Sequence, residues 1–362
     1  MQPLPKIAVT LVVALVGCTA PPSRPTAPTT TPTVADVEPT GGGSDDCARR
    51  SRPAYANDST FSGGNALGHV IDIVCDFGTD PPSVRDRAPG TPGRVAVAAH
   101  LSQVLGDAGW RTSTQGFSGR DYEGLRKEAV ASYVEACSSE DIERVRGLAF
   151  ANVLAERGSG PDLWILMAHY DAKAEASGDS VRANRTRPVP GANDGASGVA
   201  VWLEAARLLR EPPEATFRIL LTDGEDGFED CHPLAGSLFH AQTLSDDDRA
   251  RIRGVILLDM VGDPAAEFCY AHDAPALREM LVAAAVGLGV RSLTDAPDCE
   301  VIDDQTPFAQ LGLPAVDVID FRGGRYPPYW HTLADVPSQL SADTLGEVGR
   351  VVLRALEEVT GP

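Results

Sequence analysis

Basic residues are scarce in this sequence: Lys and Arg number 31 against 51 Asp and Glu, a formal charge of −20. Phosphate contacts need clustered Lys and Arg, so this balance argues against a nucleic-acid partner. It also disfavours broad adhesion to an anionic membrane surface. No apolar run reaches the roughly 20 residues that a membrane-spanning helix needs. C-x-x-C is absent, which disfavours a zinc ribbon or a thioredoxin-like redox site. Also missing are H-E-x-x-H, the G-x-S-x-G elbow, a P-loop and a G-x-G-x-x-G dinucleotide loop. What remains is globular in balance, 43% hydrophobic and 23% charged over 362 residues, enough for one large core.

The N-terminal end reads as an export signal. Lys6 precedes a short apolar stretch, 7–17, with the length of a signal-peptide core. Leu15-Val16-Gly17-Cys18 looks like a bacterial lipobox, which implies cleavage before Cys18 and lipid on that thiol. Residues 18–45 then form a Pro/Thr/Gly-rich linker without apolar periodicity, and 46–362 is read as one enzyme domain. The expected setting is the outer face of a bacterial membrane, in the cell envelope or periplasm, touched only through the lipid anchor. Setting Cys18 aside leaves Cys47, Cys75, Cys137, Cys231, Cys269 and Cys299. An even number in an exported chain predicts disulfides, with the pairing left open.

Short apolar runs at 163–168, 217–222, 254–258 and 315–319 read as strands. Helical patterns lie at about 198–210, 234–243, 274–288 and 340–358. This alternation predicts an α/β fold with a mostly parallel central sheet covered by helices on both faces. The polar stretch 120–147 reads as a helical insertion at the domain edge.

In such sheets, ligands bind beyond the carboxyl ends of the strands. Chemistry-bearing residues follow the apolar runs in turn. His169-Tyr170-Asp171 comes after the first, and Asp194 lies in the Gly-rich stretch 191–198 that opens a helix. Asp223-Gly224-Glu225-Asp226 follows the second run, Asp259 the third, and Trp330-His331-Thr332 the fourth after a Gly/Pro loop. Imidazoles and carboxylates gathered at one edge suit zinc, and a cation is what allows so many neighbouring acids to stay ionised. His69, His100, His240 and His272 are read as structural, as is His232 despite its place near the acidic loop.

These motifs resemble the zinc-dependent peptidase M28 superfamily, which includes aminopeptidases and glutaminyl-peptide cyclotransferases. The resemblance covers about residues 60–360 and implies a three-layer zinc-exopeptidase fold. It implies His169 and Asp259 on one zinc, Asp226 and His331 on another, Asp194 bridging, and Glu225 as general base. Asp226 stands where Glu is commoner, so a metal there sits closer to the strand end. Several features are similar to the cyclase branch. Trp330 precedes His331, Lys173 follows His169-Tyr170-Asp171, and Asp303-Asp304 with Pro307-Phe308 resembles Asp-Asp-His-x-Pro-Phe, with Gln305 in place of the His. The stretch from Glu225 to Gly236-Ser237 is longer than in short aminopeptidases. The 191–198 stretch matches the peptidase form.

Both branches act at free peptide N-termini. The cyclase reading, which is favoured, converts N-terminal Gln to pyroglutamate with release of ammonia. One zinc held by Asp194, Asp226 and His331 then suffices. Asp259 and Asp303 orient base and amine, and Trp330 walls the pocket. The alternative is a two-zinc aminopeptidase that hydrolyses the first peptide bond. A non-catalytic binding lipoprotein is the third reading.

Overall fold

The computed structural model describes residues 47, 55–57, 59–76, 86–123, 139–212, 214–226, 234–321 and 323–361. The expected signal segment, Cys18, the linker, Cys137, Cys231, His232 and most of 120–147 lie outside these residues.

Alternation of period two builds the sheet. In the strand Asp162–His169, Leu163, Ile165 and Met167 join one buried cluster, while Trp164, Leu166 and Ala168 join another on the opposite face. A strand buried on both sides reads as a continuous apolar run, which is why these segments were legible in the sequence. The strands are β1 (Arg111–Ser118), β2 (Ala149–Gly158), β3 (Asp162–His169), β4 (Ala215–Thr222), β5 (Ile252–Asp259), β6 (Phe268–His272), β7 (Asp298–Cys299) and β8 (Ala315–Asp320). They form one sheet in the order β1-β2-β4-β3-β5-β8-β6-β7. The centre, β4-β3-β5-β8, is parallel as expected. The flanks add what the sequence did not announce: β1 and β2 run antiparallel beside β4, and β6 runs antiparallel to β8. β1 is mostly exposed, so it carries no apolar run to read.

The principal helices are α1 (Gly63–Cys75), α2 (Pro92–Asp107), α3 (Ala196–Leu208), α4 (Ala235–Thr243), α5 (Pro275–Leu288) and α6 (Ala342–Thr360). α1, α2, α3, α5 and α6 cover one face and share its core with the even-numbered positions of β3. α4 and the short helix Thr306–Gln310 cover the other face, where Ala241 and Phe308 meet Leu163, Ile165 and Met167. Local chemistry agrees with this layering. Ser341 caps α6 by accepting from Asp343 N and Thr344 N, and Leu345, Val348, Val352 and Leu356 then repeat at helical spacing toward the sheet. The helix Ser139–Arg146 lies in the connection between β1 and β2, so the polar stretch 120–147 joins the edge strand to its neighbour. Cys47–Cys75 and Cys269–Cys299 form disulfides, in line with the bonds expected from the even number of cysteines after Cys18. Among the described residues, no helix is long and apolar enough to cross a membrane.

One buried histidine links this fold to pH. His240 of α4 is 3% exposed and its Nδ1 lies 2.9 Å from Gln115 Oε1, while Nε2 has no hydrogen-bond partner. Burial, and then the Arg218 charge, push its pKa down to about 3. The unfolded chain binds a proton near pH 6.5 that the folded chain refuses. Its neutral form therefore costs nothing above pH 6.5, and stability is lost as pH falls from there toward 3. We expect urea titrations of His240→Gln to lose less stability between pH 7 and pH 5 than wild type, by about 1.4 kcal/mol per pH unit. Parallel pH dependences would show that His240 does not carry this effect.

Candidate metal centre

The carboxyl ends of β3, β4 and β5 deliver His169, the pair Glu225-Asp226, and Asp259 to one edge of the sheet. Asp194 comes from the loop before α3, Asp303 from the segment between β7 and β8, and Trp330-His331 from the loop after β8. A cleft of about 260 Å³ opens there, lined by Asp194, Glu225, Asp226, Asp259 and His331 together with Asp303 and Trp330. Lys173, Ile302, Ile319 and Tyr326 complete the wall. His169 is fully buried.

The side chains converge on two points that share Asp194. His169 Nε2 lies 3.1 Å from Asp194 Oδ1 and 3.3 Å from Asp259 Oδ1. His331 Nε2 lies 3.0 Å from Asp226 Oδ1 and 3.5 Å from Asp194 Oδ2. One oxygen of Asp194 thus faces each imidazole. Ligand atoms at about 2.0–2.1 Å from a tetrahedral zinc lie about 3.3 Å from one another, which these separations match. Asp194 Oδ2 is buried without a hydrogen-bond partner, as a group reserved for a cation would be. Asp226, one methylene shorter than the commoner Glu, still reaches His331. His169, Asp194, Glu225 and Asp226 each offer an atom within 4.8 Å of the others. The donor set of imidazole nitrogen and carboxylate oxygen fits zinc.

Electrostatics points the same way. Burial raises the Glu225 carboxyl well above its usual range, with Asp303, Asp226 and Asp304 adding repulsion and His169 opposing it. Burial likewise raises Asp303, reinforced by Asp259 and Asp304. So many acids in low dielectric repel one another's charge, and a divalent cation removes that conflict.

The frame behind these groups is built from backbone clamps. Arg87, fully buried, donates from Nε to Tyr170 O at 2.9 Å, from Nη1 to Pro190 O at 2.7 Å and from Nη2 to Gly191 O at 2.9 Å. It ties the chain after His169 to the loop carrying Asp194. Asp171 accepts from Glu225 N at 3.1 Å and faces His169 Nδ1 at 3.6 Å. Two glycines permit close approach: a Cβ on Gly195, whose φ is +81°, would meet the His169 ring at 2.6 Å, and one on Gly198 would meet Leu258 O at 1.9 Å. His331 itself holds φ +55°, a left-handed conformation that a non-glycine residue adopts only when its surroundings impose it.

Asp335 imposes part of that order. Its two oxygens accept from Asn193 N at 2.8 Å and Asp194 N at 3.1 Å, and burial together with the Asp194 charge pushes its pKa up to about 8. Asp335→Asn keeps the shape but offers only one accepting oxygen. We expect zinc affinity, read by chelator competition, to fall about 10–100-fold, the usual cost of altering an outer partner of a ligand. Unchanged affinity would remove Asp335 from the site's support.

Every residue singled out from the sequence for this edge is therefore brought to it. Gln305 is not on the cleft wall; its Nε2 donates to Val301 O at 3.0 Å, so its exchange for His touches the loop's own bracing. His69, His100, His240 and His272 do not line the cleft. Arg87, Asp171 and Asp335 were not identified as supports. Arg87 lies more than 80 residues before its partners in the chain, and no local spacing links them.

Comparisons with known proteins agree with this geometry. The profile of Peptidase family M28 matches residues 152–356. A glutaminyl-peptide cyclotransferase-like protein of Bos taurus is 26% identical over 309 residues, which is 76% of this chain and 72% of that one. A probable zinc metalloprotease of Leptosphaeria maculans is 29% identical over 230 residues, 58% of this chain and 50% of that one. The solved structure of a Bacteroides thetaiotaomicron glutaminyl cyclase bound to N-acetylhistamine superposes with TM-score 0.67 at 26% identity, covering 82% of this chain and 97% of that one. The chain belongs to peptidase family M28 and is a zinc metalloenzyme.

Proposed function

We propose that this zinc enzyme is a glutaminyl-peptide cyclotransferase that converts N-terminal Gln of peptides to pyroglutamate and releases ammonia. The observation that carries the reading is the joint lining of one cleft by Glu225, Asp303 and Trp330 beside the ligand set. Hydrolysis needs the base and the metal ligands alone. A second acid facing the base, and an indole walling the same space, suit a reaction in which the nucleophile is an amine and water is unwelcome.

Asp194, Asp226 and His331 would hold the zinc, which would supply Lewis-acid polarisation of the γ-carboxamide carbonyl. The remaining work falls to the chain's own residues. The acidic wall draws in the peptide's α-ammonium group, which gives one proton to solvent and so becomes the neutral amine. Glu225 takes a proton from the amine, whose nitrogen attacks the carbonyl carbon of the γ-carboxamide. A carbon–nitrogen bond forms, the bond to the amide nitrogen breaks, and Glu225 returns the proton to the departing ammonia. Asp303 and Asp259 orient base and amine through hydrogen bonds. Trp330 stacks on His331 with centroids 3.5 Å apart and on Tyr326 at 4.2 Å, a flat wall that limits water. Because attacking amine and amide belong to one residue, much of the entropy cost of their encounter is already met.

One observation favours a second reading. With one Asp194 oxygen facing His169 and the other facing His331, the five-ligand set for two zinc ions is intact. That set suits an M28 aminopeptidase with water as the nucleophile. The setting we propose for either activity is the outer face of a bacterial membrane, through lipid on Cys18.

The deciding experiment incubates the zinc-loaded protein with two peptides, one beginning with Gln and one with Leu, and follows both by mass spectrometry. Loss of one ammonia from the Gln peptide, with the Leu peptide intact, is the expected result. Release of free Leu would overturn the cyclase reading in favour of the aminopeptidase. No change in either, with zinc bound, would overturn both.

A further inference from the structure

The cleft wall that carries Asp303 is weakly tied to the sheet on its upstream side. β7 has two residues, and its ladder with β6 consists of Tyr270 opposite Asp298 and Ala271 opposite Cys299. Ile302 and Asp303 on the wall follow three and four residues after Cys299. The hydrogen bonds between Cys299 and the next helix are mostly local. Gln305 Nε2 donates to Val301 O at 3.0 Å, Thr306 N to Asp303 O at 2.8 Å, and Asp304 N to Asp303 Oδ1 at 2.5 Å. These bonds shape the turn without setting its distance from β6. Downstream the turn is held well: Asp304 accepts from Thr222 Oγ1, and Phe308 is buried in the core.

Upstream, Asp298 pairs with Arg278 and His272 at the exposed rim, and the one covalent anchor follows it. Cys269 of β6 and Cys299 of β7 are joined, and Cys269, 1% exposed, packs in a cluster with Met260, Ile319, Val301, Tyr326 and Trp330. Ile319, Tyr326 and Trp330 line the cleft, so one link fixes the start of the Asp303 segment and backs the opposite wall. The Cys47–Cys75 bond, by contrast, is tied to α1 and to none of the cleft residues.

We infer that the Cys269–Cys299 disulfide positions the Asp303 wall of the cleft, so that turnover depends on its oxidation state. The inference rests on the cyclase reading for what Asp303 does there, though not for where the segment sits. Reduction breaks the S–S bond with two electrons and two protons from an external dithiol, which leaves as its own cyclic disulfide. Two thiols remain, and upstream the Val301–Asp303 stretch then keeps only noncovalent contacts: the two-residue ladder, the packing of Val301, and Asp298 beside Arg278 and His272. A misplacement of about 1 Å at a reacting centre costs up to about 100-fold in rate.

The test uses the full chain, zinc-loaded, as Cys269→Ala/Cys299→Ala, with Cys47→Ala/Cys75→Ala as control. Three quantities are read: kcat and KM on whichever of the Gln or Leu peptides wild type processes, bound zinc, and amide hydrogen exchange across residues 300–306. We expect kcat to fall about 10–100-fold, KM to change less, zinc to stay stoichiometric, and exchange in 300–306 to quicken. The control should match wild type in all three. Unchanged kcat with unchanged exchange would overturn the inference, and so would loss of zinc, because the bond would then act through the metal ligands. If wild type releases Leu and leaves the Gln peptide intact, the cyclase reading fails. The disulfide inference is still decided by exchange and by the rate of Leu release. Should the double variant not fold, partial reduction of wild type by a dithiol, with the broken bond mapped by mass spectrometry, is read by the same criteria.

Discussion

Replacing Glu225 with Gln is expected to lower turnover about 10²–10⁴-fold, the usual contribution of a general base, while zinc stays bound. The amide has nearly the shape of the carboxylate and keeps the hydrogen bond from Glu225 N to Asp171, but it cannot accept the amine proton. The surroundings also raise the basicity of Glu225: burial comes first, the His169 charge opposes it, and repulsion from Asp303, Asp226 and Asp304 adds to it. A base made stronger by its neighbours is one whose loss should be felt in kcat more than in KM. Elemental analysis and steady-state kinetics on one preparation decide it. A variant with full zinc and most of its activity would remove Glu225 from the mechanism.

His331→Ala is expected to act through the metal. His331 Nε2 stands 3.0 Å from Asp226 and 3.5 Å from Asp194, so truncation takes away an imidazole ligand and leaves two buried acids facing each other. Zinc affinity should fall by more than the roughly 10–100-fold that substitution of an outer partner costs, and activity should fall with it. The residue also holds a left-handed backbone conformation beside Trp330, which the smaller side chain relaxes. Stoichiometric zinc after dialysis against a weak chelator would contradict the ligand role. The two variants separate the functions. Glu225→Gln should keep metal and lose chemistry, whereas His331→Ala should lose both.

The order of strands and helices around the parallel centre was legible because β3, β4, β5 and β8 are buried on both faces. Each therefore shows as a mainly apolar run followed by a polar residue at the sheet edge, broken within β4 by Arg218 and within β8 by Asp317. His169, Asp259 and Glu225-Asp226 could be read as site residues because a parallel sheet delivers strand ends to one side, whatever the loop lengths between them. Asp194, His331 and Asp303 came from the motifs around them. Residues whose partners are remote in sequence were not legible. Arg87 satisfies three backbone carbonyls 83 to 104 residues away, and Asp335 clamps the backbone of Asp194 across 141 positions. Nor did spacing choose between the possible disulfides, because the closeness of Cys269 to Cys299 follows from the placing of β6 and β7 at the sheet's edge. The edge strand β1 escaped for a different reason. Exposure on β1 removes the hydrophobic pattern that would betray a strand.

By itself, then, the sequence determined the layer architecture, the edge at which chemistry is gathered and the acids and imidazoles that gather there. These depend on burial patterns and residue types carried along each segment. Only the tertiary structure decided that a single carboxylate, Asp194, faces both imidazoles, and that Asp303 and Trp330 share the cleft with Glu225. Such separations of a few ångströms are set by how strands from distant parts of the chain pack against common helices, which no local pattern records.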